Sequence, residues 1–471
     1  MVLVYTIIIV ILSAYLTNKN KKQASSKFMV AEKDLGLLLL TILLFSESIG
    51  GGTTVGVVQS GYMTGVSSIW ALWGPAIGYI VAMFATLPFF MAMNKKYGTV
   101  SIAETFQHMF DHRCRILMFA VVAFSYTMYT STQAISASSI IAPLLKLDSD
   151  IVAWGITVIF VISALCGMKG VAVIGILHAF FIVIGMGIVA VLGLNSVGGI
   201  QSLADTLPKS YFSLAQPSTA SMLANIIGAV VSSIIGAQYA NACFSAKNTR
   251  IAKRALYAVS VIFIVFALFP VTIGLCAKVL LPDVPSAQAL YALAETYGPV
   301  VSGLAMIGVL AAIMSTAPGF ILLIATTISR DFYKLVRPNA SDKQLSICTK
   351  AAVVFIGFFS TFLGLHSGSI LSVTYGAMQI RSVAGIVLLI AMAWPRVNSD
   401  AAFWSLATGG LTAIIWFYLG NPHGISALWP GLIVALLVLI PITVFSKEPV
   451  SAGYRRYSQA LSEYKTGDAN E

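Results

Sequence analysis

Two short stretches of this chain place oxygen atoms where apolar side chains are otherwise the rule. The first is Ser46-Glu47-Ser48-Ile49-Gly50-Gly51-Gly52-Thr53-Thr54-Val55-Gly56, inside a run from Leu37 to Val66 that is mostly apolar. The second runs from Gly308 to Pro318; within it Ala312, Ser315 and Thr316 are spaced i, i+3, i+4 and share one face of a helix. Consecutive glycines each weaken a helix by about 1 kcal/mol relative to alanine, so the first stretch invites local unwinding. Backbone freed at membrane depth is tolerated only where protein surrounds it or it lines a watery cavity. Freed carbonyls and neighbouring hydroxyls are oxygen donors without formal charge, a set that suits a hard monovalent cation bound weakly enough to leave again. The spacing alone leaves a second reading open, because Ser and Thr in membrane helices commonly bond back to their own carbonyls.

Glu47 is the only acid, and Arg381 the only Lys or Arg, within the apolar spans. An ionisable group at that depth is a functional hypothesis, with its partner to be named. One option is that Glu47 and Arg381 pair, which lowers the desolvation cost of both. Another is that Arg381 meets a solute carboxylate through two parallel hydrogen bonds. A third is that Glu47 takes up a proton during transport. Small polar residues near the glycine breaks, namely Thr53, Thr54, Ser232, Ser233 and Thr374, are the candidates for contacting a solute.

These residues need a membrane scaffold to position them. The chain is 58% hydrophobic and 10% charged, with a mean hydropathy of +0.90. About thirteen apolar stretches long enough to act as spans follow one another. They lie near 2–17, 36–64, 68–93, 116–141, 151–167, 170–195, 219–243, 255–277, 298–329, 351–365, 369–394, 401–419 and 426–446. All but four of the 28 Lys and Arg residues fall in alternate connections and the C-terminal tail; the exceptions are Lys146, Lys209, Lys278 and Arg381. That bias predicts an outside N-terminus and a cytoplasmic C-terminus, and it accounts for the net charge of +11 without nucleic acid. The first stretch lacks a basic start and a cleavage site, so it reads as a retained span. The second and seventh spans are both glycine-broken, the latter around Gly228, Ser232, Ser233, Gly236 and Gln238. They are five spans apart, so a repeat of that period must be inverted across the membrane. The expected organisation is a first helix and cytoplasmic linker (1–35), a five-helix repeat (36–195) and an inverted five-helix repeat (219–394). Two C-terminal helices (395–446) and a short polar cytoplasmic tail (447–471) follow.

Ala311-Ala312-Ile313-Met314-Ser315-Thr316, followed by Thr327-Ile328-Ser329-Arg330-Asp331-Phe332-Tyr333, closely resembles the signature span of the sodium:solute symporter family. Gly56-x4-Gly61-Tyr62-x2-Gly65, Phe244-Ser245-Ala246-Lys247-Asn248 and Ala252-Lys253-Arg254-Ala255 agree with it, in consistent order from about residue 1 to 396. The resemblance implies an all-α integral membrane protein with the LeuT-type inverted-repeat fold, alternating access and sodium as the transported coupling ion. Carried over by position, the family's sodium site falls on the carbonyls of Ser46, Ile49 and Ala312 and the hydroxyls of Ser315 and Thr316.

The chain also departs from the family. On the sixth span many members carry an Asp, with a Gln three residues later; here His178 and Phe181 stand there. A neutral imidazole is a poor sodium ligand but binds protons, so a second sodium ion is not expected, and His178 reads either as titratable or as a buried, carbonyl-bonded side chain. Glu47 and Arg381 are both atypical. The sugar-carrying branch has a Glu early in the third span, where this chain has Leu72-Trp73-Gly74-Pro75. A small organic anion or zwitterion is therefore favoured over a sugar.

The expected function is sodium-coupled uptake of a small polar solute across a bacterial cytoplasmic membrane, with the bilayer as surroundings and no obligate protein partner evident. Proton coupling through Glu47 and His178, or a transporter-like sensor, is the alternative. Neither a nucleophile nor a metal-ligand set accompanies Glu47 and His178, so an enzyme is not expected. The odd number of cysteines and their positions predict free thiols. His108 and His112 read as part of a solvated cytoplasmic segment.

Overall fold

The computed structural model describes residues 1–20, 35–165, 167–366 and 369–468. Lys21, Lys22, Lys27 and Lys33 of the first connection, and Cys166, lie outside these. The described residues are helical almost throughout, and nine of their helical segments are long and apolar enough to cross a membrane. Four shorter apolar helices, Val4–Ser13, Leu37–Ser48, Ser149–Ala164 and Leu428–Val444, accompany them.

In chain order the helices that build the site are α1 (Val2–Asn20), α2 (Leu37–Ser48), α3 (Val55–Thr64), α4 (Trp70–Ala85), α5 (Leu87–Tyr97), α6 (Ile102–Met109), α7 (His112–Leu145), α8 (Ser149–Ala164) and α9 (Gly167–Val197). After a connection come α10 (Thr219–Ile234), α11 (Ala237–Ser245), α12 (Thr249–Phe266), α13 (Leu268–Leu280) and α14 (Pro299–Thr327). The remainder are α15 (Asp342–Leu365), α16 (Ile370–Ala393), α17 (Ser399–Tyr418), α18 (Leu428–Val444) and α19 (Ala452–Asp468). Short polar side chains set where many of them start. Asp111, Asp148, Ser218, Asn248, Ser369 and Asn398 each accept a hydrogen bond from a backbone N–H of the first turn.

The centre of the molecule is α14. Every residue from Ala305 to Thr326 is buried, as expected of a helix that is apolar on all sides. It packs against α2, α7, α8, α9 and α15. Small residues bring the axes close: a Cβ on Gly185 of α9 would lie 3.0 Å from the Cα of Gly308 and 2.5 Å from the Leu304 carbonyl oxygen.

Both expected breaks are present. The chain leaves α2 at Ile49, which is extended (φ −95°, ψ 96°), and becomes helical again at Val55. It leaves α10 at Ile235 and passes through an extended Gly236 (φ −61°, ψ 132°) into α11. The reason for Gly50, Gly51 and Gly52 is sharper than helix weakening. Added Cβ atoms would sit 2.6 Å from Gln133 Oε1, 2.2 Å from Ser136 Oγ and 2.3 Å from Thr374 Oγ1, respectively. The break is pressed between α7 and α16, and only glycine fits there. Two further interruptions, at Thr86 between α4 and α5 and at Ala267 between α12 and α13, fall in spans read from sequence as continuous. Pro88 and Pro270 lie in the first turns beyond them, where a missing N–H is tolerated.

The polar tail is not free. Arg456 on α19 donates to the carbonyls of His108 (2.8 Å) and Phe110 (3.0 Å), at the end of α6. Lys96 pairs with Glu463 at 2.7 Å, and Tyr464 hydrogen bonds Thr249. His108, expected in a solvated segment, stacks on Tyr97 with centroids 4.5 Å apart. Its partly buried imidazole is held below its usual pKa by desolvation, and then by the Arg456 guanidinium.

Candidate functional site

The unwound end of α2 turns its carbonyls toward α14, which presents hydroxyls spaced to meet them. Ser315 Oγ lies 2.6 Å from the Ser46 oxygen and 2.8 Å from that of Ala312. Thr316 Oγ1 lies 3.1 Å from Ser46, 3.0 Å from Ile49 and 3.0 Å from Ala312 oxygens. Three carbonyls and two hydroxyls from two elements are thus gathered into one buried cluster. All five positions singled out from sequence are in it. The donors are oxygen only and carry no charge. That chemistry fits a sodium ion and gives nothing to a softer metal, which would look for nitrogen or sulfur; the described residues contain no group of three His, Cys, Asp or Glu able to hold one.

Next to this cluster, and sharing Thr316 with it, is a small cavity at the break of α2. Ser48, Thr53, Ser233, Thr374 and Arg381 line it, with Tyr79, Tyr129, Gln133 and Gln238. Its apolar wall includes Leu72, Phe263, Phe320 and Met378. Of the sequence candidates for the solute, Thr53, Ser233, Thr374 and Arg381 therefore face the cavity. Thr54 is turned inward onto the Gly50 carbonyl (2.8 Å). Ser232 stands behind the cavity and accepts a hydrogen bond from Arg381 Nη2 at 2.9 Å.

Arg381 is 2% exposed. Its guanidinium carbon lies 4.7 Å from the Tyr126 ring centre and 5.5 Å from that of Tyr129, so two aromatic faces stabilise the charge. Among the described residues Arg381 Nε and Nη1 have no hydrogen-bond partner. Glu47 does not supply one: among the described residues no ion pair joins it to Arg381. Its carboxylate packs instead over α14, where a Cβ on Gly319 would lie 3.1 Å from Oε1. The pairing option is thereby removed.

His178 hydrogen bonds through Nδ1 to the Tyr5 hydroxyl at 2.5 Å, rather than to a carbonyl. It lines a separate cavity with Ile9, Ser13, Ser163, Ile174, Met314 and Pro318. No hydrogen bond joins His178 to Glu47 among the described residues; His178 lies in its own cavity with Met314 and Pro318, and Glu47 lies over Gly319.

The sequence reading missed the contribution of α7. Gln133 accepts from the Gly51 N–H at 2.7 Å and donates to the Tyr129 carbonyl at 2.9 Å, which pins the break in place. Tyr126 OH bonds the Gln238 side chain and accepts from the Ala237 N–H at 2.8 Å, which caps the second break. The signal was present as Ser125-Tyr126-Thr127-Met128-Tyr129-Thr130-Ser131-Thr132-Gln133, an uncommonly polar run for mid-span.

Two interrupted helices around a buried one, with an oxygen cage opening on a polar cavity, define a multi-pass membrane transporter rather than an enzyme. A family model described as "SSF: Sodium:solute symporter family" matches residues 28–409, and the chain belongs to that family. The chain is 21% identical over 449 residues to the osmoregulated proline transporter OpuE of Bacillus subtilis, covering 91% of each. It is 21% identical over 490 residues to sodium/proline symporter 2 of Staphylococcus saprophyticus, covering 96% of this chain and 93% of that protein. Among solved structures, a sodium-coupled sialic acid symporter in a substrate-bound outward-open state superposes with a TM-score of 0.78 at 14% identity, covering 95% and 97%. The nucleobase-cation symporter Mhp1 in a closed conformation gives 0.59 at 15% identity, covering 92% and 98%. The fold is LeuT-type, and the protein performs sodium-coupled symport of a small molecule across a membrane.

Proposed function

We propose that the solute is a small amino-acid-like zwitterion, of which proline is the first to test. Its carboxylate meets Arg381, and its apolar part rests against Leu72, Phe263 and Met378. The observation that carries this reading is the pair of unpartnered donors, Nε and Nη1, on a buried guanidinium lining the cavity. Leaving such donors unmatched costs on the order of 1–3 kcal/mol each; they point to different sides of the group, so a carboxylate satisfies one of them, side-on through Nε and Nη2 or end-on through Nη1 and the second proton of Nη2, in the bidentate geometry guanidinium favours. Relatives named for proline support it. The sodium ion is assigned to the carbonyls of Ser46, Ile49 and Ala312 and the hydroxyls of Ser315 and Thr316. Thr316 belongs to both sites, so ion and solute each favour the same closure of α2 on α14, which is the basis of coupling.

In this reading residues 36–195 and 219–394 are the inverted repeats among about thirteen spans. The breaks at Ile49–Thr54 and Ile235–Gly236 are equivalent positions in them, and alternating access carries both cargoes into the cytoplasm. Arg254, Arg330 and their basic neighbours mark the cytoplasmic side. Uptake into proteoliposomes of a panel of neutral amino acids, their decarboxylated amines and simple carboxylates tests the assignment. Amino acids should compete with one another and amines should not. Uptake of amines as efficient as that of amino acids rules out the carboxylate clamp.

A further inference from the structure

Glu47 is not explained by either cargo site. It is 5% exposed, and its carboxylate accepts no hydrogen bond and forms no ion pair among the described residues. A buried carboxylate without a partner is costly, and a position so placed calls for a cation. Its surroundings show which one. Ala312, Thr316, Gly319, Leu323 and Thr326 recur at intervals of four and three along one stripe of α14. Glu47 lies over Gly319, about 4.5–6 Å along the axis from the cage hydroxyls at a rise of 1.5 Å per residue. Further down the same stripe, Leu323 and Thr326 line another small cavity together with Ser101, Asn241 and Asp331. There Asp331 is 1% exposed, receives Ser101 (3.0 Å) and Arg115 (2.9 Å) on Oδ1, and leaves Oδ2 with no partner among the described residues.

We propose that Glu47 is a transient cation site on the inward path of the sodium ion, taking it from the cage and passing it toward the Asp331 vestibule. This rests on the assignment of the cage and on the inside-positive orientation given above. An ion leaving five uncharged oxygens needs a compensating charge within one helical turn, and Glu47 is the acid at that distance. It is placed to speed departure, not to define the resting site, because a carboxylate in the cage itself would hold the ion too firmly to release.

The test pairs equilibrium binding of radioactive sodium to purified protein with solute-coupled sodium flux into proteoliposomes. For Glu47→Gln the sodium Kd should stay within twofold of the native value, while coupled flux falls about tenfold. Glu47→Asp should recover a substantial part of that flux. Retained binding also shows that the Gln variant is folded. Native flux in Glu47→Gln, or a Kd raised tenfold in step with the lost flux, would overturn the proposal, the second because it makes Glu47 a cage ligand. Thr316→Ala tells the two readings apart. It should abolish tight sodium binding; if binding persists, the cage is misassigned and the relay falls with it, whereas lost binding beside native flux in Glu47→Gln rejects the relay alone.

Discussion

At the scale of single residues the site rests on two kinds of hydrogen-bonding group. Thr316 Oγ1 has three carbonyl oxygens about 3 Å away, one more than Ser315 Oγ, which makes it the first of the proposed ligands to test. Thr316→Ala should raise the sodium concentration for half-maximal uptake at least tenfold, and Thr316→Ser should restore it, because only the hydroxyl is at stake. Arg381 acts through geometry as much as charge. Lys keeps the charge but loses the planar pair of donors, so Arg381→Lys should raise the half-saturating solute concentration about tenfold or more while leaving sodium binding intact. Unchanged solute affinity in that variant would exclude the guanidinium as the carboxylate's partner.

At the scale of elements, the break in α2 is held by packing. A Cβ at Gly51 would lie 2.4 Å from Ser136 Cβ as well as close to its hydroxyl. Gly51→Ala should therefore cost about 1–3 kcal/mol through overpacking. The double variant with Ser136→Gly should regain thermal stability in detergent, and Ser136→Ala should not. Docking of α19 carries a pH signature. His108 beside Arg456 has a lowered folded pKa, so its contribution is complete above the ordinary imidazole value of about 6.5. It is lost as pH falls through the folded value. Protection of the amides of residues 452–468, corrected for the intrinsic exchange rate at each pH, should fall in mild acid, and Arg456→Gln should weaken that dependence.

How far these elements could be read from sequence varied with the range of the forces involved. The cluster of Ser46, Ile49, Ala312, Ser315 and Thr316 was anticipated through the resemblance of one short motif, since spacing alone left back-bonding open; the structure has both, because Ser315 and Thr316 reach the Ala312 carbonyl as well as those of α2. The breaks at Thr86 and Ala267 were hidden by hydropathy, which registers apolar length but not an interruption. Gln133, Tyr126 and Tyr129 were passed over for a related reason: a helix can keep enough apolar surface for the membrane while turning a polar face inward. Glu47 and Arg381 looked like partners because each was the lone charge of its kind. Which elements separate or satisfy them, α14 for one and the α7 aromatics for the other, is decided by tertiary packing alone.

At the scale of the whole molecule, the proposed ion site and the proposed solute site share the helix at the centre of the fold. In the proposed arrangement sodium and solute stabilise the same contact between α2 and α14, so each should raise the affinity for the other by an equal factor. Equilibrium binding of each in the presence of the other checks this directly. Proton coupling through Glu47 and His178 is the alternative; among the described residues His178 bonds Tyr5 and not Glu47. Sodium coupling is tested most directly by solute uptake into proteoliposomes with sodium and proton gradients imposed separately. An inward sodium gradient alone should drive accumulation, and a proton gradient alone should not; accumulation driven by pH with sodium absent would contradict it.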